Sequence, residues 1–413
     1  MTTSLLRQSG FRLLLTAKAS SVIGTAMAPV GIAFAVLDAT GRPTDLGLVL
    51  GARALPMVAL LLLGGVVGDR RNRRHLLIIC DATLGLSQAA TAALVLTGRV
   101  SLVPLMLLQA IGGCALAFAH PAFIGFVPQV VGPADRRQAN ASLSLVRNGG
   151  LLFGAPLGGL LAAAASPGWA LAVDAATYFI SAGCWALLRG HEQRASTPAA
   201  TMGADLVGGW NEVRRHTWLW VVIVQFAVTV GVGEAAFDVL APVVAKERLG
   251  GAWAFGALLT AEALGAIAGG VIALRIRPTR PMFLAVGLML LYTPELFLLA
   301  GVAPLWALLP AAVLAGLAIQ LFIVLWDTAL QDHIPPAALS RVAAYDAFGS
   351  NILFPVGLAL MGPLAGWIGV RGALTVGALG VLIPTLAALF VRQIRVLPRV
   401  DHSTEVVIPA GVK

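Results

Sequence analysis

The sequence predicts an all-α polytopic membrane protein with twelve transmembrane helices in two six-helix halves. Three observations lead there. Of the 413 residues, 58% are hydrophobic and 11% charged, and the mean hydropathy is +0.89. A soluble domain carries about 25% charged residues, so too few remain here to coat a water-facing surface. The apolar residues fall in continuous runs of the length a spanning helix needs, about 20 residues. The basic residues collect in alternate short loops between those runs. This composition excludes a cytosolic globular enzyme, a disordered chain and a disulfide scaffold. The net charge of +9 is spread over the loops, so no nucleic-acid partner is expected. Cys80, Cys114 and Cys184 lie inside apolar runs and are expected as free thiols. No cofactor and no metal site is expected.

Taken in order, the predicted spans are 11–37, 45–68, 75–97, 101–128, 139–165, 168–189, 218–244, 251–275, 281–300, 304–330, 341–368 and 370–391. Gly, Pro and charged residues punctuate them. Long unbroken apolar runs are helical because lipid offers no partner to an open backbone. The stretch Met1 to Gly10 is polar and the first apolar run is too long for a leader, so no signal peptide is expected.

The positive residues orient the helices. With the N-terminus inside, 21 of the 28 Lys and Arg residues face the cytoplasm. Outside lie Arg42, Arg99, Lys246, Arg248 and Arg371, while Arg53 and Arg147 fall within the membrane. Such a bias places both termini in the cytoplasm. Trp169, Trp253, Trp306 and Trp367 fall at predicted outer ends, where an aromatic belt belongs.

The longest hydrophilic stretch divides the chain into 1–189, a linker at 190–217, a second half at 218–391 and a tail at 392–413. Leu206, Val207, Trp210 and Val213 share one face of a short helix suited to lie on the inner surface. Two six-helix halves joined by a cytoplasmic linker form a transporter plan, with a substrate cavity between the halves.

The sharpest motif is Gly65-Val-Val-Gly-Asp69-Arg70-Arg71-Asn72-Arg73-Arg74 in the loop between the second and third spans. It resembles the signature loop of the major facilitator superfamily, G-x-x-x-D-R-x-G-R-R, with Asn72 in place of the second glycine. Asn is the next most tolerant residue for a left-handed backbone. Asp69 puts a carboxylate at the cytoplasmic face, where the positive dipole end of helix eleven is a natural partner. The resemblance implies that Gly65, Asp69, Arg70, Arg73 and Arg74 latch that side while the cavity faces outward. The fold implied is the major facilitator fold.

In helix five, Gly150, Gly154, Pro156, Gly158 and Gly159 resemble the superfamily's exporter motif, G-x-x-x-G-P-x-x-G-G, with the proline one residue late. Small residues at this spacing also serve plain close packing. Asp135-Arg-Arg137-Gln-Ala139-Asn140-Ala141 before helix five looks typical of the superfamily's drug-efflux branch, which includes macrolide and enterobactin exporters. Many relatives show Ser-x-x-Gly-Asp in helix one, where this chain reads Ser21-Val-Ile-Gly24-Thr25. Ion coupling would then lie elsewhere.

Ionisable groups at mid-bilayer cost at least about 2.5–3.5 kcal/mol, so each needs a reason. Glu234 and Asp238 share a face of helix seven, and Glu262 lies near the middle of helix eight. Close carboxylates in an apolar setting disfavour double ionisation, which suits proton coupling. Glu234 and Glu262 lead as coupling residues. Asp238 is read either with them or as a helix-end residue in the outer interface, and Glu262 either so or as half of a buried ion pair. Asp81 and Arg147 are expected as a structural ion pair. Arg53 either pairs with Asp38 or faces the cavity. His120 is either a proton carrier, fitted by its titration range, or a packed core residue. Gln109, Gln225 and Gln320 are read as polar cavity contacts. Asp174 and Glu295 are placed near the outer interface.

The function expected is proton-coupled export of amphipathic small molecules, such as drugs or antibiotics, by a monomer in the bacterial inner membrane. Its partners are the small-molecule substrate, protons and the lipid bilayer. A siderophore or other natural-product exporter, or an importer, shares every feature except the helix-five motif. An intramembrane enzyme or sensor is disfavoured: H-E-x-x-H, G-x-S-x-G and the Walker pattern are all absent from the sequence.

Overall fold

A computed structural model describes residues 5–132, 135–188 and 210–398. The side chains of Gly65, Asp69, Arg70 and Arg137, most of the linker and the end of the tail lie outside the described residues.

In the first half the helices are α1 (Ser9–Thr40), α2 (Pro43–Arg70), α3 (Arg73–Leu96), α4 (Leu102–Val130), α5 (Arg136–Ala164) and α6 (Pro167–Leu187). The second half opens with α7 (Thr217–Arg248), α8 (Ala252–Ala273), α9 (Pro281–Ala300) and α10 (Leu305–His333). A last apolar helical stretch, Arg341–Leu389, runs for 49 residues. At about 1.5 Å per residue it is more than twice the roughly 30 Å of a hydrocarbon core. It breaks at Gly369, whose φ is 77°, a conformation that glycine alone adopts freely. Two spans result: α11, made of Pro336–Asn351 and 354–368, and α12, 370–389. Together these make twelve membrane helices among the described residues. A short α13, Arg392–Val396, follows.

Local chemistry sets several ends. Proline opens α2, α6 and α9, where its missing N–H is not needed. The Asn72 side chain accepts from the His75 N–H at 3.2 Å and caps α3. Its φ of −63° and ψ of 110° are extended, so the left-handed backbone anticipated there is not adopted. The Gln393 amide oxygen on α13 accepts from the Trp218 N–H at 3.0 Å, satisfying a donor that the first turn of α7 leaves free.

α1 packs on α5 and α6, α2 on α4, and α3 on α4 and α6. In the second half α8 lies along α10, and α7 and α9 pack on α11 and α12. The most extensive contacts joining the groups are α2 with α11 and α5 with α8, and smaller ones set α1 and α2 against α7 and α1 against α8. Many apolar side chains, including Leu55, Ile79, Leu160, Leu360 and Ile383, point outward and exposed, as a lipid-facing surface requires. Trp169, Trp253, Trp306 and Trp367 are exposed near the ends of their helices, all on one face of the bundle. That is the predicted outer face.

The apolar core is not symmetric between the two faces. Toward the predicted outer face a single core runs through both groups, from Val30–Leu37 of α1 through Leu46 and Val49 of α2 to Phe237–Ala245 of α7, Phe255 of α8 and Leu358 of α11. Toward the other face it splits. Phe11, Leu14, Leu77, Phe126 and Trp185 form one core among α1, α3, α4 and α6. Trp218, Met282, Phe322, Trp326 and Ile394 form another among α7, α9, α10 and α13. The helix groups are therefore bonded at one end and parted at the other.

Candidate functional site

A cavity of about 480 Å³ lies where the two groups part. α1, α3, α4, α5 and α6 line one wall; α8 and α10 line the other. Most of the lining is apolar, including Val22, Pro29, Leu84, Phe123, Leu151 and Leu259. The polar groups are the minority: Lys18, Ser21, Thr25, Asp81, His120, Tyr178, Ser181 and Trp185 on the first wall, Glu262 and Gln320 on the second. An apolar pocket with a few placed polar groups is the usual form of a small-molecule site.

Each charge on the first wall has a structural reason. Asp81 accepts from the Ser181 hydroxyl at 2.5 Å and from the Trp185 indole N–H at 2.8 Å. Lys18 lies 4.6 Å from the centre of the Phe123 ring, a cation–π contact, and within electrostatic reach of Asp81. The ion pair expected between Asp81 and Arg147 is not made. Arg147 is exposed, and α6 supplies the two donors that hold Asp81 instead. His120 is exposed at the cavity.

Behind this wall lies a buried chain of polar contacts. The Gln88 amide donates to Asp174 at 2.6 Å, Gln109 donates to Gln88 at 3.2 Å, and Arg53 donates to Gln109 at 3.4 Å. Asp174 is completely buried, not interfacial as anticipated. Asp38 is held by Lys246 at 2.6 Å, so Arg53 does not pair with it. Gln109 belongs to this network and Gln225 to another, donating to Thr229 at 3.1 Å and Thr385 at 3.0 Å. Neither lines the cavity; of the three glutamines only Gln320 does.

The second wall is backed by acidic residues. The charged groups acting on Glu262 are Glu295, Asp238 and Glu234, in that order. Glu295 is fully buried, again not at the interface, because α9 turns it toward α8. Asp238 is half-buried and Glu234 exposed to the interior of the bundle; α7 continues ten residues past Asp238, so it is no helix end. Two irregular segments frame this cluster. Thr229–Glu234 in α7 is a π-helical turn, and Met289–Tyr292 in α9 is 3₁₀. Such interruptions inside long helices recur at functional sites. The composition carried faint marks of both, a Val-Gly-Val-Gly run at 230–233 and Pro294 after the 3₁₀ turn, but no period in the sequence places Glu295 against Glu262.

Around the cavity, small residues set the contacts. A Cβ on Gly154 would meet Ala26 and Ile23 of α1 at 2.6 Å, and one on Gly158 would meet Met27 at 2.9 Å. Gly150 faces Val22 of α1 in the same row. Gly159 turns to the other half: its Cβ would lie 3.0 Å from the Ala252 carbonyl of α8. α5 runs through Pro156 without a break. In the α2–α3 loop, Arg73 donates to the Gly125 carbonyl at 2.5 Å, and Arg74 to the Trp185 and Ala186 carbonyls at 2.9 and 2.6 Å. Arg74 thereby caps the last turn of α6, where carbonyls lack partners. The helix backbone carries Gly65, Asp69 and Arg70 to the end of α2.

Twelve membrane helices, a cavity between two helix groups and one closed end define a membrane transporter. The sequence profile of the Major Facilitator Superfamily matches residues 14–353, and the chain belongs to that family. Among similar proteins, the multidrug efflux pump Tap of Mycolicibacterium fortuitum is 25% identical over 93% of this chain and 96% of its own. The enterobactin exporter EntS of Escherichia coli (strain UTI89 / UPEC) is 26% identical over 86% of each chain. Among solved structures, a mutant form of the nucleoside transporter NupG superposes with a TM-score of 0.73 at 14% identity, covering 92% of this chain and 100% of that one. A POT family transporter in complex with a thioalcohol-conjugated peptide gives 0.74 at 11% identity, covering 93% and 96%. These structural likenesses speak to the fold alone.

Proposed function

We propose that the protein is a proton-coupled exporter of amphipathic small molecules, working as a monomer in a bacterial plasma membrane with both termini in the cytoplasm. The observation that carries this reading is the mostly apolar cavity bearing Glu262 on one wall, in a bundle whose core is continuous at one end and split at the other. The arginine bias makes the split end cytoplasmic, so the cavity opens inward, ready to load substrate from the cell. Residues 1–189 and 218–391 act as the two rocking halves. Glu262, Glu234 and Asp238 take up protons when the cavity faces outward, and Gln320 and His120 offer polar contacts to the cargo. Asp69 latches the start of α11 once the inner side closes. The efflux relatives support the direction of transport.

A siderophore or similar natural product is the second reading for the cargo, favoured by similarity to an enterobactin exporter over most of both chains. Proteoliposomes loaded with a pH dye test both. An imposed pH gradient should collapse, only with protein present, on adding macrolides or hydrophobic cations, or catecholates under the second reading. Folded protein that moves no protons with any of them refutes proton-coupled export of these classes.

A further inference from the structure

Glu295 sits on α9 with no exposed surface, and among the described residues no N–H or hydroxyl donates to either of its carboxyl oxygens. The polar group in contact with it is another carboxyl, that of Glu262 on α8. Carboxylate oxygens only accept, so two carboxyls bond to one another only when one of them carries a proton. An unpaired buried carboxylate is costly without a donor, and the nearest additional charges, Glu234 and Asp238 of α7, are acidic as well. Tyr292, one turn before Glu295, is buried in the same region. No ionisable side chain of α10 or α12 acts on either carboxyl among the described residues. A metal ion does not fit in place of the proton, because no three acidic, His or Cys side chains among the described residues converge as ligands would.

We propose that Glu262 and Glu295 form one site that shares a single proton, with Glu262 as its mouth on the cavity and Glu295 as its sealed inner seat. The step is a transfer between like groups: the O–H bond on Glu262 breaks, an O–H bond forms on Glu295, and the negative charge moves the other way. No co-reactant is needed. Glu262 lines the cavity, so it exchanges with water or yields to an incoming substrate, whereas Glu295 keeps the proton where cavity water does not reach. The 3₁₀ segment Met289–Tyr292 precedes Glu295 by less than one turn, which gives α9 a joint at which the seat can turn. The site deepens the proton-coupled reading and rests on it for its role in transport, but not for its existence.

The test is infrared difference spectroscopy of the purified protein in liposomes while the pH is stepped. Among the protonated-carboxyl bands of the wild type, to which Glu234 and Asp238 also contribute, one should belong to the pair and disappear as the pH rises. Glu262→Gln and Glu295→Gln should each remove that same band, and the double variant should remove nothing further. Two bands, each lost in only one variant, would overturn the shared proton. If Glu295→Gln does not fold, Glu295→Asp draws the carboxyl back by one methylene: the band must then shift, and an unmoved band overturns the pair. Replacing choline with sodium at constant pH must leave the band unchanged, since its loss would make the site a metal-cation site. Proton-coupled transport fails separately, by absence of proton flux in the vesicle assay with the band intact.

Discussion

The seal at the predicted outer face rests in part on glycine, and Gly256→Ala measures its strength. Gly256 of α8 faces α5 of the other half: an added Cβ would lie 2.9 Å from the Ala155 carbonyl oxygen and 3.2 Å from the Gly159 Cα. Both are backbone atoms and cannot rotate aside, so the two helices must part by a few tenths of an ångström. Overpacking of this kind costs about 1–3 kcal/mol, which shifts a two-state equilibrium about 5- to 150-fold. The cost falls on the outer-closed state, because the contact joins the halves there, at the edge of the cavity that Ala155 and Leu259 line. Spin labels on Arg42 and Arg248, beside the Lys246–Asp38 pair, report the opening as a distance distribution. Gly256→Ala should add or enlarge a population at longer distance. In parallel, disulfide formation by Asp38→Cys with Lys246→Cys should fall in yield. A distribution identical to wild type, with undiminished cross-linking, would refute the assignment of this contact as a gate seal.

Other perturbations probe the remaining contacts. Asp81→Ala leaves the buried Ser181 and Trp185 donors without an acceptor, at about 1–3 kcal/mol each, and should lower the thermal midpoint clearly. Arg147→Ala should leave it almost unchanged; equal losses in the two variants would restore the ion pair that the geometry lacks. Gln88→Ala strips Asp174 of its hydrogen bond at 2.6 Å and should cost about 1–3 kcal/mol, read by thermal unfolding in detergent. Arg74→Ala uncaps the end of α6; a loss of about 0.5–2 kcal/mol is expected, with faster amide exchange confined to residues 183–188. Lys246→Met breaks a pair that is 36% and 51% exposed at its two side chains, so its effect on stability should stay below about 1 kcal/mol.

Much of the molecule was legible in its residue pattern. The number of spans follows from run length, because a bilayer of fixed thickness sets how many apolar residues a helix needs. Even the hidden break at Gly369 was marked, as the boundary between the predicted spans 341–368 and 370–391. Membership of the superfamily was carried by Gly65 to Arg74, a local string whose spacing survives without any tertiary context. Glu262 stood out because an acid in the middle of an apolar run has to be explained.

Partners were a different matter. A helix repeats every 3.6 residues, so periodicity assigns the face on which Asp81 or Arg53 lies but not the helix that face meets. Asp81 looked suited to Arg147 and met Ser181 and Trp185, 100 residues or more away along the chain. Glu295 looked interfacial from its distance to the helix end, and packing turned it inward to Glu262. Twelve membrane crossings and family membership were thus written in the chain before it folds, since both rest on run lengths and local strings read against a uniform solvent. Which polar groups share a site, and which end of the bundle is sealed, emerged with folding alone. Both depend on close approach between helices far apart in the chain, set by the side chains at each crossing.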